Sequence, residues 1–296
     1  MSSKLKKFNF QLLSQAVKTE SSDLYLILTE IFELSKNKQE EFAGLLKETT
    51  LSSIISASKI ISDRLKFISG LEEMLFNPDF KKVFKERSQL HKILAENTWV
   101  FGDQFSLTVN DQSLSQVLKI HLSKKGLVGN IDSKVTRLDG RTGIVDLMLS
   151  RIMPRNHCNE REHLIVELKA PNVKLGQKEI NQIESYAFAI AADERFSGID
   201  TKWNFILISN ELDEFAKRRA KQDKKDDGVI YSADNIEIKI KTWSELIQEC
   251  KHRLKFVQDK LDVNIDCSDG LQYLQETYSE YTRGIVTEEI DQEAIK

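Results

Sequence analysis

The sequence predicts an α/β fold, a mixed central sheet flanked by helices, with an N-terminal helical module in front of it. Residues 1–76 place apolar side chains at spacings of three and four, as in DLYLILTEIFEL, which is the period of amphipathic helices. From residue 105 onward, short apolar runs such as GIVDLML and HLIVEL alternate with longer helical patterns, the signature of a sheet covered by helices. Only 3 prolines occur in 296 residues, so little interrupts long helices.

In the first segment the periodicity predicts helices over 8–17, 24–34, 40–46 and 51–68. It contains no motif of chemical interest and reads as a module for oligomerisation, regulation or partner binding, or as an extension of the next domain's core. GLEEMLFNP, residues 70–78, marks a boundary, because the residue before a proline is pushed out of the helical region. Three parts follow: the helical module 1–76, a central α/β domain 77–265, and a C-terminal helix and tail 266–296. Within the central domain a helix is expected over 80–97, capped by Asp79. The order then predicted is strand 105–109, helix 114–122, strand 143–149, strand 163–168, helix 176–192, strand 204–209, helix 213–222, strands 228–231 and 236–240, and helix 244–261. LQYLQETYSEYT reads as a final helix.

A hydrophobic fraction of 40% can fill a core, and a formal net charge of −3 argues against a uniformly basic surface. Any nucleic-acid contact must then come from a local patch. Cys158, Cys250 and Cys267 are odd in number, lie far apart and form no CxxC pair, which argues against a disulfide framework or a structural zinc knot and fits a reducing compartment. No leader-like apolar core opens the chain and no run of 18 apolar residues occurs, so the expectation is a cytoplasmic protein without a membrane span.

The chemistry concentrates in GIVDLML and HLIVELKAPN. Strand alternation puts Glu167 and Lys169 on one face, and pairing of the two strands would bring Asp146 to Glu167. Two carboxylates suit Mg²⁺, a hard ion that prefers oxygen, with Mn²⁺ expected to substitute. Such an ion polarises a phosphate and lowers the pKa of a bound water, and Lys169 can position that water or offset developing charge. Burying a carboxylate within an apolar strand is costly unless it is paired or cation-bound. The bland alternative is a surface Glu167–Lys169 pair beside a strand-capping Asp146.

The pattern of Asp146 on one strand and Glu167-Leu168-Lys169 on the next resembles the PD-(D/E)xK nuclease superfamily. In the helix that follows, Gln182 and Tyr186 of QIESYAFAIA match the QxxxY motif of RecB-like members, and residues four apart share a helix face. Upstream, KERSQLHKILAENTWVFG is similar to the helix entry of the DUF4263, or Shedu-type, antiphage nucleases. Asn97-Thr98-Trp99 replaces Asn-Pro-Trp there, and His91 stands where Gln is frequent. The resemblance spans residues 79–261 and makes 77–265 the nuclease domain. It implies a restriction-endonuclease-like core and a Mg²⁺-dependent endonuclease acting on DNA in antiphage defence. Asp146 and Glu167 would bind metal, Glu86 would support it from the first helix with Glu96 as the substitute, Lys169 would assist the water, and Gln182 with Tyr186 would position the strand. Two rivals stand beside this reading: a catalytically silent binding module of the same fold, and a nuclease acting on RNA.

For nucleic-acid contact the candidates are Lys174 and Lys178 after the ELKAPN turn, and Lys217, Arg218 and Arg219 in FAKRRAKQDKK. That basic run equally suits a solvated helix C-terminus. His157, Cys158 and His163 match no common zinc spacing. Trp99, Trp203 and Trp243 read as core or staple residues. Partners expected are DNA, further copies in a homo-oligomer, and a regulatory partner at the N-terminal helices.

Overall fold

A computed structural model describes residue 14 and residues 22–124, 134–137, 140–152, 161–196, 201–221, 228–233 and 235–285. Two compact units divide between Ile60 and Ile61. In the first, α1 (Ser22–Glu33) and α2 (Lys36–Glu48) contain no buried residue. Ser35 caps α2 by accepting the Lys38 N–H. The helix expected over 8–17 lies outside the described residues apart from Ser14.

The division falls inside α3 (Leu51–Phe76), not at the Asn-Pro break. Asn77-Pro78 does end α3, but Phe67, Ile68, Leu71, Met74 and Leu75 already belong to the larger core. The expected helix over 80–97 is broken. Asn77, not Asp79, caps the short α4 (Pro78–Val83), its side chain accepting the Asp79 N–H, with Pro78 in the first turn where its missing donor costs nothing. A π-turn (Glu86–Leu90) then leads into α5 (His91–Glu96), and a 3-10 turn covers Thr98–Phe101.

The central sheet has six strands: β1 (Ser106–Ser113), β2 (Ile144–Ile152), β3 (Arg161–Leu168), β5 (Thr201–Ser209), β7 (Val229–Ala233) and β8 (Ile236–Thr242), in the order β1-β2-β3-β5-β8-β7. β1, β2 and β3 form an antiparallel meander; β3, β5 and β8 run parallel; β7 closes the edge antiparallel to β8. A separate two-residue ladder joins β4 (Lys174–Leu175) to β6 (Glu211–Leu212), too short to leave a periodic trace in the sequence.

Both faces of the sheet are covered by helices, which is why β3 is buried along nearly its whole length. On one face Leu147, Leu149, Leu164, Val166 and Leu168 pack with α3 and with Trp243, Leu246 and Cys250 of α9 (Trp243–Leu261). On the other, Met148, Ile165, Phe205 and Leu207 meet Val117 and Leu118 of α6 (Leu114–Lys124) and Ile180, Ile183 and Ala187 of α7 (Gln177–Ala192). The helix α8 (Glu214–Ala220) starts at Asp213, whose carboxylate accepts the Ala216 N–H at 2.7 Å.

Beyond residue 265, α10 (Cys267–Thr277) and α11 (Ser279–Thr282) replace the single helix expected there. Leu274, Tyr278 and Ile285 are part of the α3–α9 core. Helices α3 and α10 touch backbone to backbone: a Cβ on Gly70 would stand 2.4 Å from the Gly270 carbonyl oxygen. Among the described residues no helix is long and apolar enough to cross a membrane.

Candidate active site

The β2–β3 register pairs Leu147 with Val166, which puts Asp146 opposite Glu167 where the ladder ends. There the Asp146 carboxylate takes over from the backbone, its Oδ2 accepting the Leu168 N–H at 2.8 Å. The neighbouring Lys169 N–H turns the other way and joins β5 through the Ile208 carbonyl. Asp146 and Glu167 are each only 3% exposed, although both lie at a strand end.

Lys169, just past β3, curls back so that its Nζ donates to Glu167 Oε1 at 2.7 Å and to Gln182 Oε1 at 3.2 Å. Gln182 Nε2 donates to the same Glu167 oxygen and to Tyr186 Oη, the latter at 2.9 Å. Gln182 and Tyr186 reach the site because Ile180, Ile183 and Ala187 bury the adjoining stripe of α7, leaving this pair on its flank. Glu86 arrives from the π-turn, where its Oε2 accepts the Ala170 N–H at 2.8 Å. Glu96, the alternative, instead accepts from Tyr281 Oη at 3.1 Å.

Two buried carboxylates, Asp146 and Glu167, and the Lys169 ammonium therefore share this corner, and the Glu86 charge acts on all three. Burial raises the Asp146 carboxyl, against the Leu168 N–H, Lys169 and His91, which lower it. Burial and then the Asp146 charge push Glu167 up to about 8. Burial works against the Lys169 charge, but Glu167, Glu86 and Asp146 outweigh it and hold its pKa above the ordinary value. Burial also raises the Tyr186 phenol, which stays neutral.

Among the described residues no group of three or more His, Cys, Asp or Glu side chains is arranged so as to hold a metal ion. The cation seated on Glu167 is the Lys169 ammonium. Asp146 and Glu167 nonetheless offer the oxygen donors that a hard divalent ion prefers. Asp146, Glu167 and Glu86 each commit one oxygen to a protein donor, and the other oxygen of Glu167, Oε2, is buried without a hydrogen-bond partner. A buried carboxylate oxygen without a partner is costly; a retained proton relieves it, as the raised pKa of Glu167 shows, and a bound cation would do the same.

Two nearby residues were not among the expected site residues. His91 is 1% exposed, with Nε2 unpartnered, and stands close enough to Asp146 to act on its charge. The π-turn puts it there: its N–H closes the turn on the Glu86 carbonyl, a spacing no α-helical pattern anticipates. Arg137 donates from Nε to Ser185 Oγ at 2.8 Å, with Cζ 5.5 Å from the Tyr186 ring centre.

Most of the expected phosphate-binding cations have acidic neighbours. Lys174 Nζ lies 3.9 Å from Glu211, Lys217 Nζ lies 2.9 Å from Glu214, and Arg219 pairs with Glu184. Lys178 and Arg218 are exposed. His157 and Cys158 lie outside the described residues. His163 stands in β3, as the strand expected over 163–168 implies: its Nδ1 is 2.7 Å from Ser150 Oγ and its Nε2 is 3.1 Å from His121 Nδ1. Trp203 packs on the His163 ring at 4.5 Å, and Trp203 and Trp243 are both buried. No protein-family model, curated protein or solved structure matches this chain.

Proposed function

We propose that the chain is a Mg²⁺-dependent nuclease of the PD-(D/E)xK type, cutting phosphodiester bonds in DNA. The observation that carries this reading is the meeting of Asp146, Glu167 and Lys169 at one sheet end, with Glu167 Oε2 left as a buried acceptor. The antiparallel β1–β2–β3 meander, followed by α7 and the parallel β5, supports a restriction-endonuclease-like core. The defence role rests on resemblance alone.

In this reading Asp146 and Glu167 would hold the ion, with Glu86 supporting it. When bound, Mg²⁺ supplies charge stabilisation at the phosphate and an acidified water. Lys169, anchored by Glu167 and Gln182, would position a water or offset charge developing on the phosphate. Gln182 fixes both Glu167 and Lys169, and Tyr186 orients Gln182.

The test is cleavage of supercoiled plasmid in Mg²⁺, with labelled duplex DNA, single-stranded DNA and structured RNA run in parallel. Asp146→Ala, Glu167→Ala and Lys169→Ala are each expected to abolish cutting while the circular dichroism stays native. Full cutting by Glu167→Ala overturns the reading, and cutting confined to RNA overturns the substrate assignment.

A further inference from the structure

Among the described residues of the first compact unit none is buried, in α1, in α2 or in the first ten residues of α3. Helices of 12 and 13 residues are marginal in water unless an apolar face is packed, so α1 and α2 need a surface to lie on. Of the fifteen large apolar side chains exposed among the described residues, nine fall within residues 22–60. Tyr25 and Phe32, 76% and 71% exposed, stand seven residues apart on one side of α1. Leu51 and Ile55, 43% and 57% exposed, stand four apart on α3 and share a side of it.

The largest apolar patch that a monomer leaves open covers about 300–600 Å². At roughly 100 Å² exposed on each side chain, these nine offer about 900 Å², and each partner in a stable interface gives roughly 800 Å². Charge selects the occupant. Leu51 to Ser58 carry no charge over two helical turns, although six of these eight residues are exposed. A two-fold contact sets the residues near its axis against their own copies, so a charge there would repel itself. An uncharged face is what self-pairing requires, and an unlike partner imposes no such condition. We propose that the chain forms a homodimer in which Leu51 and Ile55 of α3, with Tyr25 and Phe32 of α1, pack on the same residues of a second copy. The inference does not depend on the nuclease reading.

The test is sedimentation equilibrium of the full chain across a concentration series. The wild type is expected at twice the mass of one chain. Ile55→Glu and Tyr25→Glu put a charge against its own copy and are each expected to raise the dissociation constant by about 100-fold or more. Phe256→Glu changes a side chain of the second unit that is 71% exposed, and is expected to leave the dimer intact. A second measurement needs no disruptive change. In a chain carrying Cys158→Ser and Cys267→Ser, Ile55→Cys is expected to be joined to its copy by a short bismaleimide, and Phe256→Cys is not. A single-chain mass at every concentration overturns the proposal, the face then being covered by the chain's own residues 1–21 or by an unlike partner. An assembly that Ile55→Glu and Tyr25→Glu leave unchanged also overturns it, because the copies then meet elsewhere. If the glutamate variants melt early, the crosslink at position 55 decides alone, and its absence overturns the proposal.

Discussion

The carboxylate of Asp146 accepts the Leu168 N–H at 2.8 Å, occupying the place a strand carbonyl would take if the β2–β3 ladder continued. One side chain thus both completes the backbone bonding of β3 and sits beside Glu167. Charge and acceptor can be separated by substitution. Asp146→Asn keeps an oxygen for Leu168 and removes a buried charge that Glu86 and Glu167 oppose, so without metal it is expected to melt at or above the wild-type temperature. Asp146→Ala leaves the Leu168 N–H unsatisfied and is expected to lose about 1–3 kcal/mol. Thermal melts in EDTA compare the two, and equal loss in both would show that the hydrogen bond contributes nothing.

Glu167 links the site to pH. Its folded pKa of about 8 lies above the ordinary value of 4.5, so between those values the unfolded chain has released a proton that the folded chain keeps. The metal-free protein is therefore expected to lose stability as pH rises through that window. A divalent ion requires the ionised carboxylate, so binding at pH 7 is expected to release close to one proton. Calorimetry in buffers of differing ionisation enthalpy measures the release, and melts in EDTA across the pH range measure the slope. Glu167→Gln is expected to remove both effects.

Gln182 hydrogen-bonds Glu167, Lys169 and Tyr186, whereas the Tyr186 hydroxyl hydrogen-bonds Gln182 and otherwise feels Glu167 and Lys169 through their charge. Outer partners of metal-binding carboxylates are worth roughly 10–100-fold in affinity or rate. Gln182→Ala is expected to fall within that range for Mn²⁺ affinity or plasmid cleavage, and Tyr186→Phe to lose less than Gln182→Ala. A larger loss from Tyr186→Phe would give the phenol a role of its own.

The crossing of α3 and α10 sets a steric limit away from the site. Alanine at position 70 would place its Cβ 2.4 Å from the Gly270 carbonyl oxygen, and position 270 is equally tight against Gly70. Both contacts are with backbone, so a helix must move. Overpacking of this kind costs about 1–3 kcal/mol or more, against about 1 kcal/mol gained in helix propensity. Gly70→Ala and Gly270→Ala are each expected to lower the urea midpoint. An unchanged midpoint would mean that the two helices separate freely.

What was legible in the sequence was what short-range periodicity encodes. Alternation put Glu167 and Lys169 on one side, four-residue spacing joined Gln182 to Tyr186, and apolar runs located β2, β3 and β5 within a few residues of their observed bounds. These patterns depend on the geometry of a single strand or helix. Tertiary structure alone decided which elements meet. It broke the helix expected over 80–97 into a π-turn that carries Glu86 and His91 to the site, because packing overrides a helical pattern that reads as continuous. It joined Arg219 to Glu184 across 35 residues and His163 to His121 across 42, and it folded Leu274 and Tyr278 into a core shared with β2 and β3. Contacts between residues so far apart in the chain leave no local period in the sequence; the burial of apolar surface and the pairing of polar groups select them only once the layers have closed.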